Sequence, residues 1–340
     1  MKLSRLLLYA AVGLCVSCQK NGKEVDTPAL SISTRVSGQQ GANNFSAWLE
    51  GDKMAIDFIT GEQVSRFYFT QLAGGRWLSD CTVTSADGLN ESTQVKAYFP
   101  WGDAASVSQF TLPANNGFVN QSDYSGLHGC DWMISDPSLS QFHNETKSAD
   151  IVFNHQLSYL RVFYVYSEAM AGQPVPSDVR ILHQPLTYDV SGTVPQSSGE
   201  GTVIPTVTEG QMEAILIPHS LVKGAQLMSF NVGDKSYQVV LPDDFAFLPG
   251  KAHTLYLAVG QYEVGIIPAG LVDWDEDDLG SADFFEYLQN LLVQLQWDET
   301  EMGNGFISSY VDAVSIEISD WTDACIGEGS IGNSSGEEQI

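Results

Sequence analysis

Basic side chains are scarce in this chain. Its 340 residues include 15 lysines and arginines against 42 aspartates and glutamates, a formal net charge of −27. Nucleic-acid binding rests on phosphate contacts from Lys and Arg, so the composition argues against it. It argues equally against docking to anionic lipid through a basic patch. Strong negative charge fits a soluble, self-repelling exterior. Cysteine is scarce too, with 5 residues: Cys15, Cys18, Cys81, Cys130 and Cys325. That is no disulfide-framed scaffold. The apolar run Leu6–Val16 is too short to cross a bilayer as a permanent helix. No solenoid-period repeat is present.

Signatures of catalysis and metal binding are also missing. There is no G-x-S-x-G nucleophile elbow. His128, His143, His155, His183, His219 and His253 include no pair at the i, i+4 spacing of a helical zinc site. "HGCD" (His128–Asp131) is the most suggestive cluster, but nothing nearby completes a ligand set. "GEGSIG" at Gly327–Gly332 matches a phosphate-loop pattern, yet lacks the strand before and helix after that such a loop needs. "DWDEDD" (Asp273–Asp278) has Asp278 and Phe284 where an EF-hand requires Gly and Glu. Carboxylates are so abundant that their proximity in sequence says nothing about a glycosidase pair. No cofactor is implied.

What is present begins at the N-terminus. Lys2 and Arg5 precede the apolar run, and Ser17 and Cys18 follow it. A basic start, a short apolar core and a small-residue cleavage site make a secretory signal. A cysteine directly after the cleavage point marks a bacterial lipoprotein, so Cys18 is the expected lipidation site. The position three before it carries Cys15 rather than the usual Leu. Cleavage would remove Cys15 and dissolve the apparent C-x-x-C pair. Cys81 and Cys130 could bridge in an oxidising compartment, and the sequence leaves that open.

Beyond a polar tether, a period-two pattern takes over. Strand-like runs include Leu30–Val36, Met54–Ile59, Ser65–Gln71, Tyr159–Tyr166 and His253–Val259; most such runs alternate, are rich in Val, Ile, Tyr and Phe, and are bounded by Gly, Pro, Asn or Asp. "FNVGDKSYQVVL" is the clearest hairpin, turning at Gly233-Asp234. Short strands at this spacing predict antiparallel β-sandwiches. Their number exceeds one small sandwich, so the expectation is all-β with two tandem sandwich domains. The predicted organisation is a signal peptide over 1–17, a tether over 18–28, and an N-terminal sandwich over 29–147. A C-terminal sandwich spans 148–321, and an acidic Gly/Ser-rich tail spans 322–340. "SEAMAGQPVPSD" (Ser167–Asp178) is the alternative cut between domains. Ser281–Gln296 breaks the pattern: Ser281 can cap a helix, and Phe284, Leu288, Leu291, Leu292 and Leu295 follow helical spacing. It forms the core of a helical insertion over about 275–305 and is read as packed on a sheet. Trp48, Trp77, Trp101, Trp132, Trp274, Trp297 and Trp321 are read mainly as packing residues.

The order of several short motifs carries a resemblance. After the lipoprotein signal come "LSISTRVSG", "WLEGDKMAIDF" (Trp48–Phe58), "AYFPWGD" (Ala97–Asp103) and "GCDWMISDP" (Gly129–Pro137). Then follow "VFNHQLSYLRVFYVY" (Val152–Tyr166) and "FLPGKAHTLYLAV" (Phe247–Val259). From about residue 14 to 321 the chain resembles the fimbrillin-like (FimA/Mfa-like) lipoproteins of Bacteroidales. The resemblance implies tandem transthyretin-like sandwiches in a type V pilus subunit or accessory protein. It implies a lipid anchor in the outer membrane and surface ligands of host or bacterial cells. It also implies arginine-specific proteolysis of the first strand, with Arg35 at the matching position. The groove so opened would take a strand from the next subunit, which satisfies the bared backbone groups. Two departures bear on the role. Trp274 to about Gly305 looks inserted, and the tail after Trp321 is a poor donor strand. A tip, anchor or accessory subunit is therefore at least as well supported as a shaft subunit. The competing class is a monomeric outer-membrane glycan-binding lipoprotein, which exposed Trp side chains along one groove would favour. A secreted hydrolase would need two facing carboxylates in a cleft.

Overall fold

The computed structural model describes residues 30–36, 48–79, 88–102, 106–167, 170–261 and 264–273, without the side chains of 267–273. Cys15, Cys18, Cys81, Cys325, the helical stretch Ser281–Gln296 and Trp274, Trp297 and Trp321 lie outside the described residues.

Lys53–Thr60 shows why strands form here. Met54, Ile56 and Phe58 point to one side and are buried at 0–1% exposure. Each contributes about 1.5–3 kcal/mol by leaving water. Lys53, Ala55 and Asp57 point to the other side, as a period of two requires. Gln63–Leu72 returns antiparallel beside it, placing Phe67 and Phe69 in the same cluster. These strands belong to an eight-stranded sheet. Its path runs Ser31–Val36, Ser148–His155, Met133–Ser135, Gln94–Phe99, Lys53–Thr60, Gln63–Leu72 and Arg76–Ser79, with Gln141–His143 beside Ser148–His155.

A second apolar cluster lies between two further sheets. One has the order Thr206–Thr208, Gln211–Leu216, Ser158–Tyr166, Lys251–Val259, Val264–Asp273. The other runs Lys235–Val240, Gln226–Val232, Ser177–Gln184, Gly201–Ile204, Phe118–Asn120, Ala114–Asn115. The protein is all-β, with multiple sheets as β-sandwich domains require. The hairpin at Gly233-Asp234 is in place: Val232 pairs with Lys235, and Gly233 takes φ +57°.

Three pairings depart from the antiparallel expectation. Ser31–Val36 runs parallel to Ser148–His155, Ser158–Tyr166 parallel to Lys251–Val259, and Gly201–Ile204 parallel to Phe118–Asn120. Each partner lies far along the chain, so the pairs are made by crossovers and not by tight turns. Residue 148 opens a strand of the first sheet, while Phe110, Val119, Leu127 and Trp132 pack in the second cluster. The chain thus leaves the first sheet after residue 102, enters the second cluster, and returns before entering it finally after residue 155.

That excursion contains the one helix among the described residues, Tyr124–His128, capped by Asp123 accepting from the Gly126 N–H at 2.8 Å. A Cβ at Gly126 would stand 2.5 Å from the Asn120 carbonyl oxygen and 3.2 Å from the Gln121 Cα. Both are backbone atoms that cannot rotate away. Gly126→Ala is expected to cost about 1–3 kcal/mol by overpacking, read as a lowered urea midpoint at unchanged slope.

Candidate functional site: the edge strand and the junction

Ser31–Val36 alternates exposed Ser31, Ser33 and Arg35 with inward Ile32, Thr34 and Val36. It stands at one end of the first sheet's path, paired on one side only, from Ser31 with Ser148 to Val36 with Phe153. Its inner side chains lie on the first cluster: Val36 is buried, and Leu30 and Ile32 are half-buried against it. Trp48 supports that region edge-on, with ring centroids 5.4 Å from Trp77, 4.8 Å from Phe99 and 5.5 Å from Phe153. The sheet curls until its ends meet. Trp77, on the strand at the opposite end of the path, donates its indole N–H to Thr34 Oγ1 at 3.1 Å. Arg35 sits opposite Val152 with its side chain in solvent. The strand is therefore held by one ladder, its inner side chains and a side-chain bond, and its arginine is accessible.

The other motifs converge on the junction between the two clusters. Asp52 of "WLEGD" meets His128, Oδ2 to Nε2 at 2.8 Å. Asp131 of "GCDW" meets His155 of the F-x-H-x-L-S run, Oδ1 to Nδ1 at 2.7 Å, with both side chains almost wholly buried. Ser158 donates its hydroxyl to the Leu248 carbonyl at 2.6 Å, and the Gly250 N–H donates to Leu157 O at 2.8 Å. Gly250 takes φ +66°, and a Cβ there would stand 3.1 Å from the His155 carbonyl oxygen. Glycine is needed for both reasons. The F-x-H-x-L-S and F-L-P-G-K runs are thus two halves of one contact.

Other candidate residues have structural places. Cys130 is a free, fully buried thiol, pushed up to about 12 mainly by burial, which makes it a poor nucleophile. His143 and His183 form exposed pairs with Asp150 and Glu200 at 3.0 Å. His219 and His253 lie in an aromatic cluster with Phe245 and Phe247. Among the described residues no group of His, Cys, Asp or Glu is placed to hold a metal ion, and no helix is long and apolar enough to cross a membrane. Trp77 and Trp132 are buried, Trp48 half-buried, and Trp101 half-exposed beside Tyr68.

The family model described as fimbrillin-like matches residues 34–274. The chain belongs to the fimbrillin-like family. The matched stretch covers almost all of the curled sheet and junction just described. Among solved structures, a candidate cell adhesion protein of Bacteroides ovatus aligns at 13% identity and TM-score 0.51, covering 74% of this chain and 99% of that one. A candidate cell adhesion protein of Bacteroides uniformis aligns at 16% identity and TM-score 0.49, covering 72% and 98%. The tip fimbrial protein Mfa3 of Porphyromonas gingivalis, with a C-terminal truncation, aligns at 7% identity and TM-score 0.38, covering 66% and 95%. At 13% identity the likeness to the Bacteroides ovatus protein is one of fold alone. No curated protein matches the sequence.

Sequence reasoning missed Asp52 and Asp131 as partners of histidines. "HGCD" drew notice as a metal cluster, whereas its ends point to two different partners, Asp52 and His155. The signal was there in a weaker form: a histidine in an apolar strand needs a buried partner.

Proposed function

We propose that this fimbrillin-like protein is a cell-surface fimbrial subunit, delivered to the outer membrane through a lipidated Cys18 and, once cleavage after Arg35 has released that anchor, joined to other subunits by strand addition. Two tandem sandwiches, with segments exchanged at their junction, are the organisation this reading carries. Its chemistry is assembly and adhesion, not turnover. One observation carries it: the strand bearing exposed Arg35 is a sheet edge lying over an apolar cluster. Cleavage after Arg35 would release Leu30, Ile32 and Thr34 from the groove and bare one side of Ser148–His155. An incoming strand would satisfy both. The sequence departures at residue 274 and beyond make a tip, anchor or accessory place at least as well supported as the shaft.

The test is the N-terminus of the mature protein from native outer membranes, by mass spectrometry. The expected result is a chain beginning at Val36. An acylated Cys18 on an uncut chain would overturn strand exchange and leave an anchor or a stand-alone glycan binder.

A further inference from the structure

The outer face of the first sheet carries a surface that assembly does not use. Three strands build it. Ala55 of Lys53–Thr60 lies between Tyr68 of Gln63–Leu72 and Tyr98 of Gln94–Phe99, and one step along, Asp57 lies between Arg66 and Lys96. The Trp101 N–H extends the ladder by donating to the Lys53 carbonyl at 2.8 Å. That places the indole 5.8 Å from the Tyr68 ring and 6.2 Å from the Tyr98 ring. Two tyrosines and a tryptophan thus meet over an alanine floor.

Cations are fixed among these rings. Asp57, its side chain 6% exposed, accepts two bonds from Arg66, each 2.6 Å. The guanidinium so held stands 5.1 Å from the Trp101 ring centre and 5.7 Å from that of Tyr98. Lys96 Nζ lies 5.5 Å over Tyr98. Lys53 and Arg76 are exposed on the same face, and Thr70 and Gln94 add polar groups at its margins. Tyr98 keeps its phenol proton, pushed up to about 12 by burial and then by Asp57. Among the described outward positions of these strands and of Arg76–Ser79, Lys53, Arg66, Arg76 and Lys96, of only 15 basic residues in the chain, stand against one acid, Asp57. Tyr68 is 41% exposed and Leu78 55%.

We propose that this face binds a carboxylated oligosaccharide. Aromatic faces are electronegative and attract the C–H faces of pyranose rings, which explains an exposed tyrosine beside a half-exposed tryptophan. The cations select carboxylates. A neutral glycan would leave Lys53, Lys96 and Arg76 without a role, and an acidic peptide would leave the rings without one. The chain's net charge of −27 does not forbid an acidic ligand. Screening acts within about 8 Å at physiological salt, so the local cations govern. The proposal rests on display of the chain at the cell surface and names the ligand class of its adhesion.

The test is titration of the full chain with a short oligogalacturonate, beside a neutral cello-oligosaccharide and an oligoglutamate peptide. Saturable binding of the oligogalacturonate alone is expected, weakening as salt rises. Tyr68→Ala should raise Kd roughly tenfold, the loss of about 1.4 kcal/mol, with Tyr68→Phe restoring affinity. Lys96→Gln, at a half-buried position on the same face, should weaken binding several-fold. No binding of oligogalacturonate, or binding that both variants leave intact, overturns the proposal. Equal binding of oligoglutamate overturns it in favour of an acidic polypeptide, and equal binding of the neutral sugar removes the carboxylate requirement. These outcomes are independent of the mature N-terminus. A chain starting at Val36 without sugar binding would overturn the ligand alone, and an uncut chain that binds would overturn strand exchange alone.

Discussion

Replacing His155 with alanine is expected to destabilise the fold by about 3–5 kcal/mol, the loss found when one member of a buried pair is removed. The expectation follows from what would be left behind. Asp131 is at 0% exposure, and its Oδ1 accepts from His155 Nδ1 at 2.7 Å. Its Oδ2 has no hydrogen-bond partner. Without the imidazole the carboxylate would be buried with neither oxygen bonded to a side chain, and such desolvation is costly. The position also matters: His155 ends a strand of the first sheet, and Asp131 follows the helix that packs in the second cluster. The same bond therefore couples the two clusters. The neighbouring pair is less exacting. Asp52 Oδ2 also accepts from the Leu49 N–H at 2.7 Å, so His128→Ala leaves that carboxylate a donor and should cost about 1–3 kcal/mol. Urea unfolding of the two variants distinguishes these ranks. Equal losses, or a loss below about 1 kcal/mol for His155→Ala, would show that the junction is held by packing alone.

How much of this was legible follows from the lengths of the elements. The long alternating strands could be read because four or more residues of period two make a signal. Lys53–Thr60 and Gln63–Leu72 are of that kind, whereas Lys251–Val259, buried on both faces, was legible as a bounded apolar run. Gln109–Thr111, Phe118–Asn120, Met133–Ser135 and Phe245–Phe247 have three residues each, too few for any period to show. Those short strands carry the chain's exchange between clusters, so the sequence could suggest two sandwiches without showing how segments cross. The apolar run over 203–207 is divided between two strands, Gly201–Ile204 and Thr206–Thr208, because Pro205 lacks the N–H a ladder needs. The edge position of Arg35 was a requirement stated from the assembly hypothesis, and the parallel partner at Ser148–His155 was invisible because it lies more than a hundred residues away.

The aromatic–cation face was illegible for a related reason. Arg66 and Tyr68 on one strand, and Lys96 and Tyr98 on another with Trp101 just beyond it, look like routine outward residues. Only the register of three strands places them together. Motif order succeeded where local pattern failed. F-x-H-x-L-S is the hub of the quoted runs: "WLEGD" meets it through Trp48 on Phe153, "GCDW" through Asp131 on His155, and F-L-P-G-K through Leu248 and Gly250. Residues that must meet to close a junction constrain one another wherever they fall in the chain, and that constraint is what a family signature records.

Acid should open the aromatic cluster around the paired strands His219–Leu221 and Phe245–Phe247. His253 Nε2 accepts the Leu248 N–H at 3.0 Å, so the ring is neutral with its proton on Nδ1. Phe245 and Phe247 pack against it with centroids 5.5 and 5.4 Å away. Burial depresses its pKa from 6.5 to about 4. His219 is lowered by the same cause; its Nδ1–H donates to the Ile217 carbonyl at 2.8 Å, and its other nitrogen has no hydrogen-bond partner. The sign follows from proton counting. Between about 4 and 6.5 the unfolded chain binds a proton at His253 that the folded chain does not, and His219 acts in the same direction. Stability is therefore full above pH 6.5 and falls as pH drops toward about 4, where His253 itself becomes charged. For a shift of this size the loss from His253 is about 3 kcal/mol, with His219 adding in the same direction. His253→Asn supplies a side-chain carbonyl as acceptor and cannot titrate. Its urea midpoint should be lower than wild type at neutral pH and fall less on acidification, so that the two converge toward pH 4. Parallel decline of both proteins would mean that carboxylates dominate the acid transition and that the ring at 253 is not held neutral by its burial.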